Sequence, residues 1–230
     1  LEDRDLAIAN QARYLGNYGR YPVYQNTDAA FYGDAAEALE AQKEALRGAV
    51  RFIFMEYHAI EDAESFGALK EILAQKAKDG VDVRILYDDM GSVGFINWDF
   101  IRRMKAEGIQ CRIFNPMIPI RNIIMNNRDH RKITVVDGRV GFTGGYNLAN
   151  EYFNLTHPYG HWKDTGVKLT GEAVRSLTCM FLEMWNAVKR RIRRTTLIFR
   201  RRAVRHARTA SSPPMETARC TMRPSARTST

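Results

Sequence analysis

Three short apolar runs, at residues 50–57, 81–87 and 109–114, are separated by stretches of helix length, and this alternation restricts the chain to few folds. Each run is too short for a core helix and rich in β-branched and aromatic residues, so each reads as a buried strand. Between them, residues 65–78 and 98–107 have helical spacing and stop at Gly80 and Gly108, with Ser65 placed to cap the first. An earlier segment, 35–47, puts Ala35, Ala38, Leu39, Ala45 and Leu46 near one face before Gly48. Strands and helices alternating at this length imply βαβ units. The expected fold is therefore α/β, a mixed, largely parallel sheet flanked by helices.

The second half has a different rhythm. A loop rich in Pro, Asn and Met over 115–127 leads into strands at 132–136 and 140–142, separated by Asp137-Gly138, a hairpin turn signal. A further strand at 164–169 precedes a helix over 171–188. That helix carries Val174, Leu177, Phe181, Met184, Trp185 and Val188 in one apolar stripe, which reads as core.

After Val188 the composition breaks. Residues 189–230 hold 13 of the 35 Lys and Arg but one acidic residue, Glu216, leaving 22 basic and 25 acidic side chains in residues 1–188, a net of −3. The formal charge of +9 thus belongs to the tail and assigns no nucleic-acid partner to the body. A segment with almost no apolar periodicity is expected to be disordered. It is either a basic arm for phosphates or anionic lipid, or an accidental tail read from a shifted frame, which the composition favours. The expected division is an N-terminal segment 1–19, a catalytic domain 20–188 and the Arg-rich tail 189–230. Cys111, Cys179 and Cys220 have no metal-ligand spacing and read as thiols of a reducing compartment. No stretch reaches the ~18–20 apolar residues of a membrane span, and the chain opens at Leu1 with no signal-peptide pattern.

The residues that carry chemistry are His130-Arg131-Lys132, then Asp137, then Gly144-Gly145-Tyr146-Asn147. Alternation along a strand sends His130 and Lys132 to one face and Arg131 to the other. An imidazole beside an ammonium, with an Asn amide behind a Gly-Gly turn, suits a phosphate diester. The imidazole attacks phosphorus while Lys132 and Asn147 hold the non-bridging oxygens, and glycines such as Gly145 let backbone approach the phosphate.

This block resembles the HKD motif of the phospholipase D superfamily. The wider sequence, AQKAKDGVDVRILYDDMGS, NNRDHRKITVVDGRVGFTGGYNLANEY and GHWKDTGVKLTG, is similar to bacterial cardiolipin synthases over about residues 20–188. The resemblance implies His130 as nucleophile or general acid, Lys132 and Asn147 as phosphate ligands, and Asp137 as a motif residue with a structural part at the turn. It implies no metal and no cofactor. Asp164, at the start of a predicted strand, is the candidate to orient the His130 ring, with pairing to Lys163 or Arg131 as the alternative. Arg128 is a second phosphate candidate. Glu151 reads equally as a cap or a participant. His58 follows the apolar run at a place where the resemblance implies pocket-lining residues, with a buried, satisfied histidine as the favoured reading. His161 reads as a head-group contact or packing, His157 as loop and His206 as tail.

The superfamily mechanism uses two facing motifs, whereas this sequence carries one. The expectation is half of a phosphatidyltransferase acting on phosphatidylglycerol at a membrane surface. The intact protein is expected to be membrane-anchored, and activity to require a homodimer or another chain's second motif. Two alternatives stand beside it: a dimeric single-motif phosphodiesterase or nuclease, disfavoured by the −3 body, and a non-catalytic remnant.

Overall fold

The three apolar runs form the parallel part of one sheet: β2 (Phe52–Tyr57), β3 (Asp82–Asp88) and β4 (Gln110–Phe114). The helices α3 (Glu64–Lys78) and α4 (Phe100–Ala106) cross between them, and β2–β3 and β3–β4 pair in parallel. The computed structural model describes residues 5–97, 99–116 and 126–203, with 189–203 as backbone. Most of the predicted 115–127 loop, Trp98 in the predicted 98–107 helix, and the tail beyond 203 with His206 and Cys220 lie outside the described residues.

Past the loop the pairing changes. β5 (Ile133–Val136), β6 (Val140–Gly144), β7 (Gly166–Gly171) and β1 (Thr27–Tyr32) add antiparallel neighbours, giving the order β1-β7-β6-β5-β2-β3-β4. The sheet is mixed, as the sequence predicts, with parallel pairing confined to β2-β3-β4. From Ile133 onward the strands are joined by a tight turn and an irregular loop instead of crossover helices, so successive strands run antiparallel. Strand β1 has no apolar alternation to announce it; it lies at the sheet edge with its four central residues exposed and pairs with β7 from Thr27↔Gly171 to Tyr32↔Gly166. The helix α1 (Leu6–Tyr14), whose first turn is capped by the Asp5 carboxylate, was equally unmarked by periodicity.

Strand alternation divides the core in two. Ile53, Met55, Tyr57, Val83, Ile85 and Tyr87 face α2 (Ala35–Arg47), α3 and α4. Phe54, Leu86, Ile133 and Val135 face the first turns of α5, where Val174, Phe181, Trp185 and Val188 are buried as the stripe predicts. Helix α5 runs Val174–Ala203, beyond the Val188 composition boundary. Arginine is a good helix former, and propagation is cheap once packing has fixed the first turns. Ser65 is not the cap of α3: Ala63 occupies that position, and the Asn150 side chain accepts from the Ser65 N–H at 2.9 Å.

Candidate active site

The Asp137-Gly138 turn sets the register that builds the site. Both residues have positive φ, 53° and 69°, and Arg139 N donates to the Val136 carbonyl at 3.0 Å, closing a turn inside a three-residue connection between the paired Val136 and Val140. Strand β5 then pairs antiparallel with β2, Val136 opposite Ile53 and Ile133 opposite Glu56. The residues just before β5 therefore lie beyond the C-terminal end of β2. Asp137 sits at the other end, roughly 20 Å from His130 at strand rise per residue. Its carboxylate accepts from the backbone N–H groups of Val50 (2.9 Å), Arg51 (2.7 Å) and Phe52 (2.9 Å). Partial burial works against its charge, but these donors and Arg51 outweigh it and hold the carboxyl below its ordinary value. Asp137 is a brace for the start of β2, remote from the reacting groups, which corrects its inclusion among the catalytic candidates.

At the opposite end His130 is exposed and Lys132 almost completely buried. Lys132 Nζ lies 3.0 Å from His130 Nδ1 and 3.3 Å from Nε2, and donates to the His130 carbonyl at 2.9 Å. Both residues lie on the α2–α3 face. Below them Thr134, Tyr57, Gln42 and Tyr146 form a buried hydrogen-bonded floor, with Gln42 Nε2 2.9 Å from Thr134 Oγ1 and Tyr146 donating to Gln42 Oε1 at 3.0 Å. Partial desolvation of this otherwise exposed ring, then the Lys132 and His58 charges, lower the His130 pKa and favour its neutral form. Burial also lowers Lys132, against the pull of Asp164 and Asp129.

Arg131 turns to the other face, as alternation predicts. Its Nη2 is 2.7 Å from Glu56 Oε1 and its Nε 3.0 Å from Asp129 Oδ1. Burial pushes the Glu56 carboxyl up to about 10, helped by its hydrogen bond and repulsion with Asp129 and opposed by Arg131. Burial also opposes ionisation of Asp129, but hydrogen bonds from Glu56 and Arg131 prevail and lower its pKa. Burial thus favours the protonated form of Glu56. A raised folded-state pKa stabilises fully below the ordinary value of 4.5, and that stability is lost as pH rises toward about 10. Glu56→Gln keeps a donor for Asp129 and an acceptor for Arg131 without an ionisable proton. It is expected to flatten the fall in stability between those limits, at up to about 1.4 kcal/mol per pH unit, and to exceed wild type by about 1–3 kcal/mol at pH 8. Urea unfolding at pH 5 and pH 8 measures this; an unchanged pH slope contradicts it.

The remaining candidates fall in different places. Asn147 is buried, its Oδ1 accepting from Ala59 N at 3.0 Å and its Nδ2 donating to Tyr152 Oη at 2.8 Å, which leaves one Nδ2 proton beyond the Tyr152 bond. Arg128 Nη1 pairs with the buried Asp88 at 3.2 Å and donates to the Asn115 carbonyl at 3.2 Å, so it ties down the approach to the motif. Gly145 donates its N–H to the Thr165 carbonyl at 3.2 Å, so that N–H is not available to a phosphate. What its missing side chain admits is Asp164: a Cβ at Gly145 would lie 2.0 Å from Asp164 Oδ1. Asp164 precedes β7 by two residues instead of opening it. Its carboxylate accepts from Thr165 N at 2.8 Å and Trp162 Nε1 at 3.4 Å. Among the described residues no hydrogen bond joins Asp164 to His130; its charge is felt by Lys132. Neither Lys163 nor Arg131 forms an ion pair with it among the described residues. Gly145→Ala is expected to cost about 1–3 kcal/mol by this overlap, with most of the loss recovered in the Gly145→Ala, Asp164→Ala double variant. Thermal unfolding of the cycle decides it, and strict additivity rejects the contact.

His58 is the residue the sequence undervalued. It is only partly buried, and its ring lies against that of His130 with centroids 4.6 Å apart and planes tilted 47°. The resemblance implies pocket-lining residues at this place, but the contact with His130 depends on how β5 returns to β2 and is not legible in the sequence. Glu151 lies in the short 3-10 turn Asn150–Phe153, its pKa raised by burial and then by Glu61; it makes neither a cap nor a motif contact in the described bonds. His161 is exposed beside Trp162, and His157 is loop. Neither Cys111 nor Cys179 is in a disulfide. Among the described residues no His, Cys, Asp or Glu cluster is arranged for a metal, and no helix is long and apolar enough to cross a membrane.

A mixed seven-stranded sheet with an imidazole–ammonium pair at one end of its central strands is a phospholipase D-like domain. Solved structures share the fold: NucT from Helicobacter pylori (TM-score 0.54, 12% identity, 70% of this chain and 96% of that one) and the phospholipase D family member Nuc from Salmonella typhimurium (0.50, 20%, 70% and 93%). The family model described as cardiolipin synthase, PLD-like domain, matches residues 43–185, and the chain belongs to that family. A cardiolipin synthase of Halalkalibacterium halodurans is 41% identical over 165 residues, 71% of this chain and 33% of that protein. One of Staphylococcus aureus is 36% identical over 163 residues, 70% and 33%. An uncharacterized protein of Streptococcus mutans is 41% identical over 190 residues, 83% and 41%. The chain spans about a third to two fifths of the length of these relatives.

Proposed function

We propose that this domain is one catalytic half of a cardiolipin synthase-type phosphatidyltransferase acting at a membrane surface. The observation that carries the reading is the Lys132 ammonium set 3.0 Å from the His130 ring in a chain of this family. His130 attacks the phosphorus of phosphatidylglycerol, forming a P–N bond as the bond to glycerol breaks. The hydroxyl of a second phosphatidylglycerol then attacks phosphorus, the P–N bond breaks, and cardiolipin leaves. One proton passes from the incoming hydroxyl to the departing glycerol oxygen through a second imidazole, supplied by a homodimer partner or another chain. Lys132, and the remaining Asn147 proton, stabilise the charge on the non-bridging oxygens. The lowered His130 pKa supports the nucleophile role, since the neutral ring is the attacking form.

The test offers the chain phosphatidylglycerol vesicles and, separately, plasmid DNA. Equal amounts of cardiolipin and free glycerol are expected, with turnover per chain rising with chain concentration as copies combine. Cleavage of DNA with no lipid product would replace this reading with the phosphodiesterase one.

A further inference from the structure

We propose that His58 is a phosphate-contacting residue of the same site, its Nε2 donating, as the imidazolium, to a non-bridging oxygen of the group that His130 attacks. The inference rests on the reading above only in placing phosphorus at His130.

Three features of the surroundings single out Nε2. First, His58 Nδ1 lies 2.9 Å from the Asp129 carbonyl. A carbonyl only accepts, so Nδ1 carries a proton and Nε2 is the nitrogen left to exchange one. Second, a single buried carboxylate fixes the backbone on both sides of the ring. Asp88 accepts from Asp129 N at 2.9 Å and from Met90 N and Gly91 N at 2.9 and 3.2 Å. Third, Gly91 packs closely on His58: a Cβ there would stand 2.3 Å from the His58 carbonyl oxygen, 2.7 Å from Nε2 and 2.8 Å from Cδ2. A side chain at 91 would therefore clash with the His58 backbone first and with its ring edge next.

The ring geometry then separates two possible tasks. In an in-line displacement the leaving oxygen lies opposite the attacking nitrogen, with phosphorus between them. Rings 4.6 Å apart stand side by side, too close to flank a phosphorus. His58 is therefore misplaced for protonating the leaving group, and well placed for an oxygen that projects sideways from the axis of attack. The site gains a third donor besides Lys132 and Asn147 within one chain.

The competing role is a strut that ties residue 129 to the end of β2 through Nδ1 alone. Two substitutions divide the tasks, because an Asn amide nitrogen reproduces Nδ1 and a Gln amide nitrogen reproduces Nε2. Inorganic phosphate is titrated into the full chain by calorimetry, with thermal unfolding run in parallel. His58→Asn is expected to weaken phosphate about tenfold or more while leaving the melting temperature near wild type, and His58→Gln to stay within about threefold. The reverse pattern, with Asn harmless and Gln damaging both readouts, makes His58 a strut and overturns the proposal, as does wild-type chain that binds no phosphate. Should either variant fail to fold, the Nε2–H resonance of His58 in wild-type chain is the second readout: it must appear or shift on phosphate addition. Phosphate binding that depends on His58 without any lipid turnover would sink the transferase reading and leave this one standing.

Discussion

His130→Ala is expected to lower phosphatidyl transfer by about three orders of magnitude or more, because in the proposed mechanism its ring forms the covalent bond to phosphorus. The same change should leave stability within about 0.5 kcal/mol, since His130 is exposed and supports no core contact. The Lys132 ammonium keeps one of its acceptors in the variant: the His130 carbonyl, 2.9 Å from Nζ, belongs to the backbone. Activity and folding are therefore expected to separate cleanly. Intact-mass measurement after a neutral quench should show a phosphatidyl adduct on wild-type chain and none on the variant. Retention of both adduct and turnover would mean that another group is the nucleophile, and the convergence of Lys132 on His130 would then need a different explanation.

The alternating strands and helices of residues 35–114 were legible because hydrophobic period and strand length are local properties. So was the pairing of β5 with β6, because Asp137-Gly138 has one favoured turn. Strand β1 was not: Thr27–Tyr32 acquires its conformation from β7, a partner about 140 residues away, and its exposed face gives no alternation to read. The parallel fraction was overread for a related reason. Connection type decides strand direction, and the link from β6 to β7 carries no periodicity.

At the site, His130, Lys132 and Arg131 took the faces that strand alternation assigns, since a two-residue period is a local rule. What escaped the sequence were second partners. Gly145, expected to let backbone approach a phosphate, admits the Asp164 carboxylate, and Arg128, expected near a phosphate, has the buried Asp88 as a partner. His58 reads as a satisfied core residue, yet its ring stands against that of His130. In each case the residue type was informative and its neighbour across the fold was not.

The largest stability effect is expected at Asp137, which shares a motif with His130 but none of its surroundings. Two carboxylate oxygens accept three backbone N–H bonds from residues 50–52, and the residue itself holds φ at 53°. Asp137→Ala removes both acceptor oxygens and all three bonds, and places a side chain that disfavours positive φ in the turn. Charge-assisted bonds contribute about 1.5–3 kcal/mol each, but the donors at Val50 and Arg51 are exposed and water recovers part of the loss. With about 1 kcal/mol for the left-handed backbone, the sum is about 3–4 kcal/mol, a fall in melting temperature of roughly 6–16 °C for a domain of this size. Asp137→Gly relieves the backbone part, so it should recover about 1 kcal/mol relative to alanine. Asp137→Asn keeps the oxygen that serves Arg51 and Phe52 and tolerates the dihedral, so it should lose the least. The carboxyl pKa is depressed on folding, so its stabilisation is present above the ordinary aspartate value and disappears as pH falls through the folded one. The gap between wild type and alanine must therefore narrow in acid. Phosphate affinity at the His130 end, measured below the melting range, should be unchanged in all three variants. A variant that keeps its melting temperature but loses phosphate would return Asp137 to the reacting centre and contradict the geometry that separates them.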